Sequence, residues 1–402
     1  MSHSRIAERV RRIKPSPSTS AADRANELRR QGKSIVNLVV GEPDFDTPAH
    51  IRRAAAEAIE KGATRYTLMA GTVELRQAIV AKLERENGLR YEMNEIIATS
   101  GAKSAIFSAL SVTLGPGDEV IIPAPYWVSY PDMVLASDGV PVTVACPESA
   151  GFKLTPAQLE AAITPRTRWL LLNSPSNPTG ASYTAAEYRA LADVLVRHPQ
   201  VLVMTDDIYE HIRFDGQRTP HLLNVAPELR ERTLAINGVS KTYAMTGWRI
   251  GWVAGPRDLV QALDTLLSQS TGNCCSVSQA AAAAALNGDQ HFVAESVAIY
   301  KQRRDRTLAQ INAIPGLSCR LPDGAFYLYI NCAGLIGKTT ADGKRLKADG
   351  DVVMHLLESV GVAVVAGTAY GLSPYFRLSI ATSIETLDEG CRRIAQAVAA
   401  LQ

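Results

Sequence analysis

The sequence predicts a mainly parallel α/β fold with a smaller α+β unit assembled from both chain ends. Six apolar runs of strand length recur between residues 119 and 254: EVIIP (119–123), PVTVA (141–145), RWLLLN (168–173), VLVMTD (201–206), TLAIN (233–237) and RIGWVA (249–254). They are nearly continuous in Val, Ile and Leu, as strands covered on both faces are; strands with one wet face alternate instead. Longer amphipathic stretches, for example 184–197, fall between several of them. That is the rhythm of strand, crossover helix and parallel strand, and it predicts a large sheet flanked by helices.

The rhythm fails at both ends. Residues 1–48 hold an amphipathic stretch over 20–31 and then Pro and Gly punctuation around Gly41-Glu42-Pro43-Asp44. Beyond residue 290 a long charged helical pattern, 291–312, leads into Pro315-Gly316. Strand-like runs follow at 326–330, 362–365 and 375–380, then a helical pattern over 384–401. The polar stretch 333–351 reads as a surface insertion. The expected division is an N-terminal arm with part of a small domain (1–48), a large domain (49–295) and a C-terminal small domain (296–402).

Composition excludes several function classes. The net charge is +2, from 42 basic and 40 acidic side chains, without the basic footprint of a nucleic-acid binder. The short cluster Arg9, Arg11, Arg12, Lys14 reads as a solvated helix face. No run approaches the roughly 20 apolar residues of a membrane-spanning helix, and residues 1–5 lack the apolar core of a signal peptide. The six cysteines form no CxxC pair and no metal-ligand cluster, so the expectation is free thiols in a reducing cytoplasm and no metal.

The chemistry gathers at strand ends. Lys241 follows the run ending at 237 and a Gly238 turn, in largely uncharged surroundings. A desolvated lysine loses its proton more readily and becomes a nucleophile. Arg249, eight residues on, offers a fixed positive charge to a phosphate. Asp206 and Tyr209 directly follow another strand, where ligands of open α/β sheets bind. A carboxylate there can hold a pyridine nitrogen protonated, which makes the ring an electron sink. Asn177, in Ser176-Asn177-Pro178-Thr179-Gly180, follows a strand as well, although Pro and Gly alone would make a plain turn. Ser100-Gly101-Ala102-Lys103 opens an amphipathic run over 104–114, and a helix N-terminus suits a phosphate dianion. Trp127 can stack on a flat ring or simply fill the core. Arg377 sits inside an apolar strand and needs an anion, either an internal acid or a substrate carboxylate.

Together these segments resemble the class I aminotransferases, the fold-type I pyridoxal-phosphate enzymes. The carriers are Gly41-Glu42-Pro43-Asp44-Phe45, Asn177-Pro178-Thr179-Gly180, Asp206-Asp207-Ile208-Tyr209, Ser240-Lys241 with Arg249, and Phe376-Arg377-Leu378-Ser379. They stand in the family's order and at its spacings over almost the whole chain. The resemblance implies pyridoxal 5'-phosphate as cofactor, with Lys241 its Schiff-base lysine and the acid/base at the substrate Cα. It implies Asp206 on the ring nitrogen, Tyr209 and Asn177 on the ring oxygen, and Trp127 stacked on the ring. Gly101, Ala102, Ser240 and Arg249 would hold the phosphate, with Tyr66 reaching that of a neighbouring subunit in a homodimer. Arg377, Asn177, Trp127 and the Gly41 backbone would bind substrate. The segments GEPDFDTP (41–48), PYWVSY (125–130) and MTGWR (245–249) are most similar to the bacterial aspartate branch that includes aspartate/prephenate enzymes. In that branch Lys103 would take the distal carboxylate. The alternatives left open are an aromatic or neutral amino-acid aminotransferase, a C–S lyase, and a regulatory or binding protein without turnover.

Overall fold

The computed structural model describes residues 5–15 and 17–402; residues 1–4 and 16 of the expected N-terminal arm lie outside the described residues. Its twelve described strands are β1 (Val36–Asn37), β2 (Ile96–Thr99), β3 (Glu119–Ala124), β4 (Val140–Ala145), β5 (Thr167–Asn173), β6 (Leu202–Asp206), β7 (Thr233–Gly238), β8 (Gly251–Ala254), β9 (Tyr327–Asn331), β10 (Val362–Ala363), β11 (Val365–Ala366) and β12 (Tyr375–Ser379). Seven form one sheet, in the order β2-β8-β7-β6-β5-β3-β4. All its pairings are parallel except the two made by β8, which is antiparallel to β2 and β7.

Successive residues of these strands face opposite sides, and both sides are dry except along the edge strand β4, where Val140, Thr143 and Ala145 are exposed, so the expectation of two covered faces fails for the run 141–145. Ile97, Ile122, Trp169, Leu171, Met204 and Val253 pack against Ile106 and Leu110 of helix Ala102–Thr113 and Leu263 and Leu267 of helix Arg257–Ser268. Ile96, Ile121, Leu170, Leu172, Val203 and Trp252 join a second core with Tyr188 and Leu191 of helix Ala185–Leu195 and Ala281 and Ala285 of helix Ser276–Asn287. This two-sided burial is why the strands read as unbroken apolar runs. Helix Ala185–Leu195 starts at a capping box in which Thr184 and Glu187 satisfy each other's backbone N–H groups.

A three-stranded sheet, β11-β12-β9, is antiparallel throughout. β1 pairs in parallel with β10, which ties the N-terminal segment to the C-terminal part of the chain. The stretch 333–351 is mostly exposed, yet buried Leu335 and Leu346 anchor it in the adjoining core. One expected boundary is corrected: the run 249–254 forms a strand only from Gly251, because Arg249 is in the left-handed region (φ 57°, ψ 51°), which no strand residue adopts. Among the described residues no helix is long and apolar enough to cross a membrane.

A buried polar knot braces the strand ends. Lys82, at the end of helix Val73–Lys82, pairs with Glu210, four residues past β6. Asn87 Nδ2 and Asn237 Nδ2 each donate to Glu210 at 2.6 Å, and His211 contacts both Thr242 Oγ1 (3.1 Å) and Glu86 (2.9 Å). Burial pushes the Glu210 carboxyl up, but Lys82 and His211 more than offset it, leaving it near about 2. Glu210→Gln leaves the Lys82 ammonium with only the more distant Glu86 carboxylate, at 3.7 Å, and should cost about 3 kcal/mol at pH 7, read by urea unfolding. A depressed acid stabilises above its unfolded pKa and loses that contribution as pH falls through the folded one. The gap between wild type and variant should therefore narrow below about pH 4.5 and vanish toward pH 2; a gap independent of pH would contradict this.

Candidate active site

The parallel strands of the large sheet deliver their carboxyl ends to one cavity of about 600 Å³. Asp206 is the last residue of β6, and Asn173 the last of β5. Lys241 lies three residues past β7, Trp127 three past β3, and Gly101 two past β2. From the smaller sheet come Arg377, in the middle of β12, and Tyr327, at the start of β9. Gly41, Ala102, Lys103, Trp127, Asn177, Asp206, Tyr209, Ser240, Lys241, Arg249 and Arg377, all singled out in the sequence, line this cavity together.

Lys241 Nζ donates to the Gly41 carbonyl at 2.6 Å. Its pKa is lowered to about 8, first by desolvation and then by the Arg377 and Arg249 charges, against which Glu42 and Asp206 pull it up. The carbonyl is held in place by the segment that follows it. Asp44 makes a two-pronged ion pair with Arg303 at 2.7 and 2.8 Å, and Phe45 meets Tyr300 edge-on at 5.3 Å.

Asp206 is buried and has no salt-bridge partner among the described residues. The Tyr130 hydroxyl donates to its Oδ2 at 2.6 Å, and the Ile208 N–H approaches Oδ1 at 3.4 Å. Burial pushes the carboxyl up to about 6; the Tyr130 phenol draws it down and the neighbouring Asp207 charge raises it.

Arg377 is buried at 3% exposure. Its Nη2 donates to the Val39 carbonyl at 2.6 Å and its Nη1 to Asn177 Oδ1 at 3.0 Å. Its Nε has no partner among the described residues. Among the described residues no acid pairs with this guanidinium, against the salt-bridge reading, and a buried arginine without one has room for an anion. With Oδ1 turned to Arg377, the Asn177 amide has its Nδ2 donor to offer the cavity.

At the other end, helix Ala102–Thr113 begins on Gly101 at φ 90°. A Cβ on Gly101 would stand 2.5 Å from Arg249 Nη2, so only glycine lets the guanidinium approach this turn. Gly251 is needed for the same reason, since a Cβ there would meet Ala102 N at 2.4 Å. The N–H groups of Ala102 and Lys103 precede the first hydrogen bonds of the helix, from Ser104 and Ala105 to the Gly101 carbonyl. Lys103 Nζ lies 5.0 Å over the Trp127 ring, with its pKa lowered by desolvation and by Arg249. Gly101 itself stands behind the wall rather than in it, and Tyr66 lies outside this cavity, 97% exposed.

The model for aminotransferases of class I and II matches residues 33–394. This chain belongs to the class I and II aminotransferases. It is 53% identical to an aspartate aminotransferase of Rhizobium meliloti, over 97% of this chain and 95% of that one. It is 52% identical to an aspartate/prephenate aminotransferase of Cereibacter sphaeroides, over 97% of each. The crystal structure of an aspartate aminotransferase from Rhizobium meliloti superposes with a TM-score of 0.97 at 52% identity, over 99% of this chain and 100% of that one.

In this aminotransferase the sequence analysis overlooks two site residues, Tyr130 and Tyr327. Each reads as an ordinary core aromatic, and only the fold brings Tyr130 to Asp206 and Tyr327 to Tyr209. Tyr130→Phe removes a donor from the Asp206 carboxylate, so its pKa should rise by about one unit. Infrared titration of the carboxyl stretch in the purified protein without ligand measures this; an unmoved midpoint would contradict the assignment.

Proposed function

We propose that this chain catalyses pyridoxal-phosphate-dependent transamination of L-aspartate with 2-oxoglutarate, giving oxaloacetate and L-glutamate, in a ping-pong cycle through one cavity. The observation that carries the proposal is the meeting of Lys241, Asp206 and Arg377, from three different elements, around that cavity. The names of the similar proteins support aspartate as substrate, and one of them supports prephenate, converted to arogenate, as a second acceptor.

The residues fit the cofactor. Asp206 is a buried carboxylate that receives only neutral donors, which suits a ring nitrogen carrying a proton. The Gly101 turn, the N–H groups of Ala102 and Lys103, the Ser240 hydroxyl and the Arg249 guanidinium make a cradle for a phosphate dianion. Trp127 supplies a flat face, and Tyr209 and Asn177 supply donors for a ring oxygen. When bound, pyridoxal phosphate supplies an electrophilic carbon for the amino group and a ring that spreads the charge left at the substrate Cα.

The chain's own groups do the rest. Lys241 Nζ, with its pKa lowered to about 8 and so about half neutral at that pH, takes the proton from the substrate Cα and delivers it on the other side of the exchange. Asp206 keeps the ring nitrogen protonated. Arg377 grips the α-carboxylate and so fixes the Cα–H bond toward Lys241. Lys103, above Trp127, answers the distal carboxylate of a dicarboxylic substrate.

The active assembly in this proposal is a homodimer in which Tyr66, solvent-exposed on its own chain, reaches the phosphate site of the partner. Sedimentation should give a dimer, and Tyr66→Phe should release cofactor faster; a fully active monomer would contradict the shared site.

Single-turnover absorbance tests the substrate. Aspartate and glutamate should convert the cofactor's visible band to the amine form, and neutral or aromatic amino acids should do so poorly. Lys103→Ala should raise the KM for aspartate about tenfold, the worth of one charged hydrogen bond, without affecting alanine. A band reacting only with neutral amino acids would discard the acidic substrate. A protein that binds no cofactor, or one that releases ammonia and an eliminated side chain, would overturn transamination itself.

A further inference from the structure

Tyr327 touches both halves of this site, and the proposed roles of its two neighbours do not account for it. β9 and β12 run antiparallel with Arg377 opposite Tyr329. Tyr327, two residues earlier, therefore shares a sheet face with Arg377 as its diagonal neighbour. The Arg377 guanidinium lies 4.3 Å from the Tyr327 ring centroid. The Tyr327 hydroxyl is 2.9 Å from the Tyr209 hydroxyl, and both groups are buried. A Cβ on Gly41 would come within 3.2 Å of that same hydroxyl, so the segment carrying the Lys241-bound carbonyl packs against it as well.

Two phenols at this distance share one hydrogen bond, and each has only one proton to give. If Tyr209 donates to Tyr327, it has nothing left for a ligand. If Tyr327 donates, the Tyr209 proton is free to point into the cavity. We infer that Tyr327 is a positioning residue: its hydroxyl donates to Tyr209 so that Tyr209 donates into the cavity, and its ring face holds the Arg377 guanidinium at the angle the carboxylate needs. The inference rests on the proposed roles of Tyr209 and Arg377. The charged groups facing Tyr209 are Arg377, from β12, and Asp206, from the end of β6; both stay in place when Tyr327 is changed.

The test uses two variants of the cofactor-loaded enzyme and two readouts other than turnover. The first readout is the pH midpoint of the cofactor's visible-band change. The second is the dissociation constant of succinate, a dicarboxylate with no amino group to react. Tyr327→Phe keeps the ring and removes the hydroxyl. A Tyr209 hydroxyl that no longer accepts a hydrogen bond is less polarised and donates more weakly, which leaves more negative charge on the ring oxygen, so a neighbouring proton is held more tightly. The midpoint should rise by about half a unit or more, with succinate binding within about twofold of wild type. Tyr327→Leu removes the ring face as well and should weaken succinate about fivefold or more. An unmoved midpoint in Tyr327→Phe overturns the hydroxyl's role, even if Tyr327→Leu fails to fold, and unchanged succinate binding in a folded Tyr327→Leu overturns the ring's. A role confined to packing would lower the melting temperature and move neither readout. A wild-type protein with no visible band and no succinate binding would instead overturn the proposed function.

Discussion

Desolvation of Lys241 is the constraint on which the site depends. An ammonium that lines a cavity beside Arg377 and Arg249 is pushed toward its neutral form, and Glu42 only partly restores it. The amine then survives as a base near pH 8 because the Gly41 carbonyl accepts its hydrogen bond without adding a full charge. Had an acid stood in that place, the lysine would be an ordinary cation and the cavity an ordinary salt-bridged core. The Arg303–Asp44 pair and the Phe45–Tyr300 contact matter for this reason, since they fix the segment that carries the carbonyl.

The same logic extends to the other buried charges. Asp206 and Arg377 each lack an internal counter-ion among the described residues and are held by neutral groups: Tyr130 and the Ile208 N–H in one case, the Val39 carbonyl and Asn177 in the other. Neutral partners orient a charge without cancelling it. Glu210 and Lys82 show the opposite arrangement a few residues away, where a complete pair with further hydrogen bonds from Asn87 and Asn237 braces the chain. The fold thus separates charges that hold structure from charges kept for chemistry.

Much of this was legible in the sequence because parallel strands announce themselves and carry their functional residues just past their ends. Six of the seven strands of the large sheet are found within a residue or two. β2 escapes because Ile96–Ala98 offers only three apolar residues in a row, whereas β8, also four residues long, follows Ile250 and reads as a longer run. β1 is two residues long and carries no period at all, and the run 362–365, read as one strand, is divided at Val364 into β10 and β11, which join different sheets. Arg249 reads as the start of a strand because its left-handed backbone leaves no mark on its neighbours. The sequence reading finds the charged site residues, since a charge in an apolar setting demands a reason. It passes over Tyr130 and Tyr327, since a buried tyrosine demands none, and what each hydroxyl meets is decided by pairings between distant strands.

The most direct test of the central claim is the pKa of Lys241 itself in the protein without cofactor. Lysine labelled with carbon-13 at Cε reports protonation through its chemical shift, and Lys241→Met identifies the resonance. The account predicts a midpoint of about 8, well below that of a free lysine side chain. A midpoint above about 10, that of an ordinary surface lysine, would mean that the cavity does not desolvate the amine and that the site does not work as described.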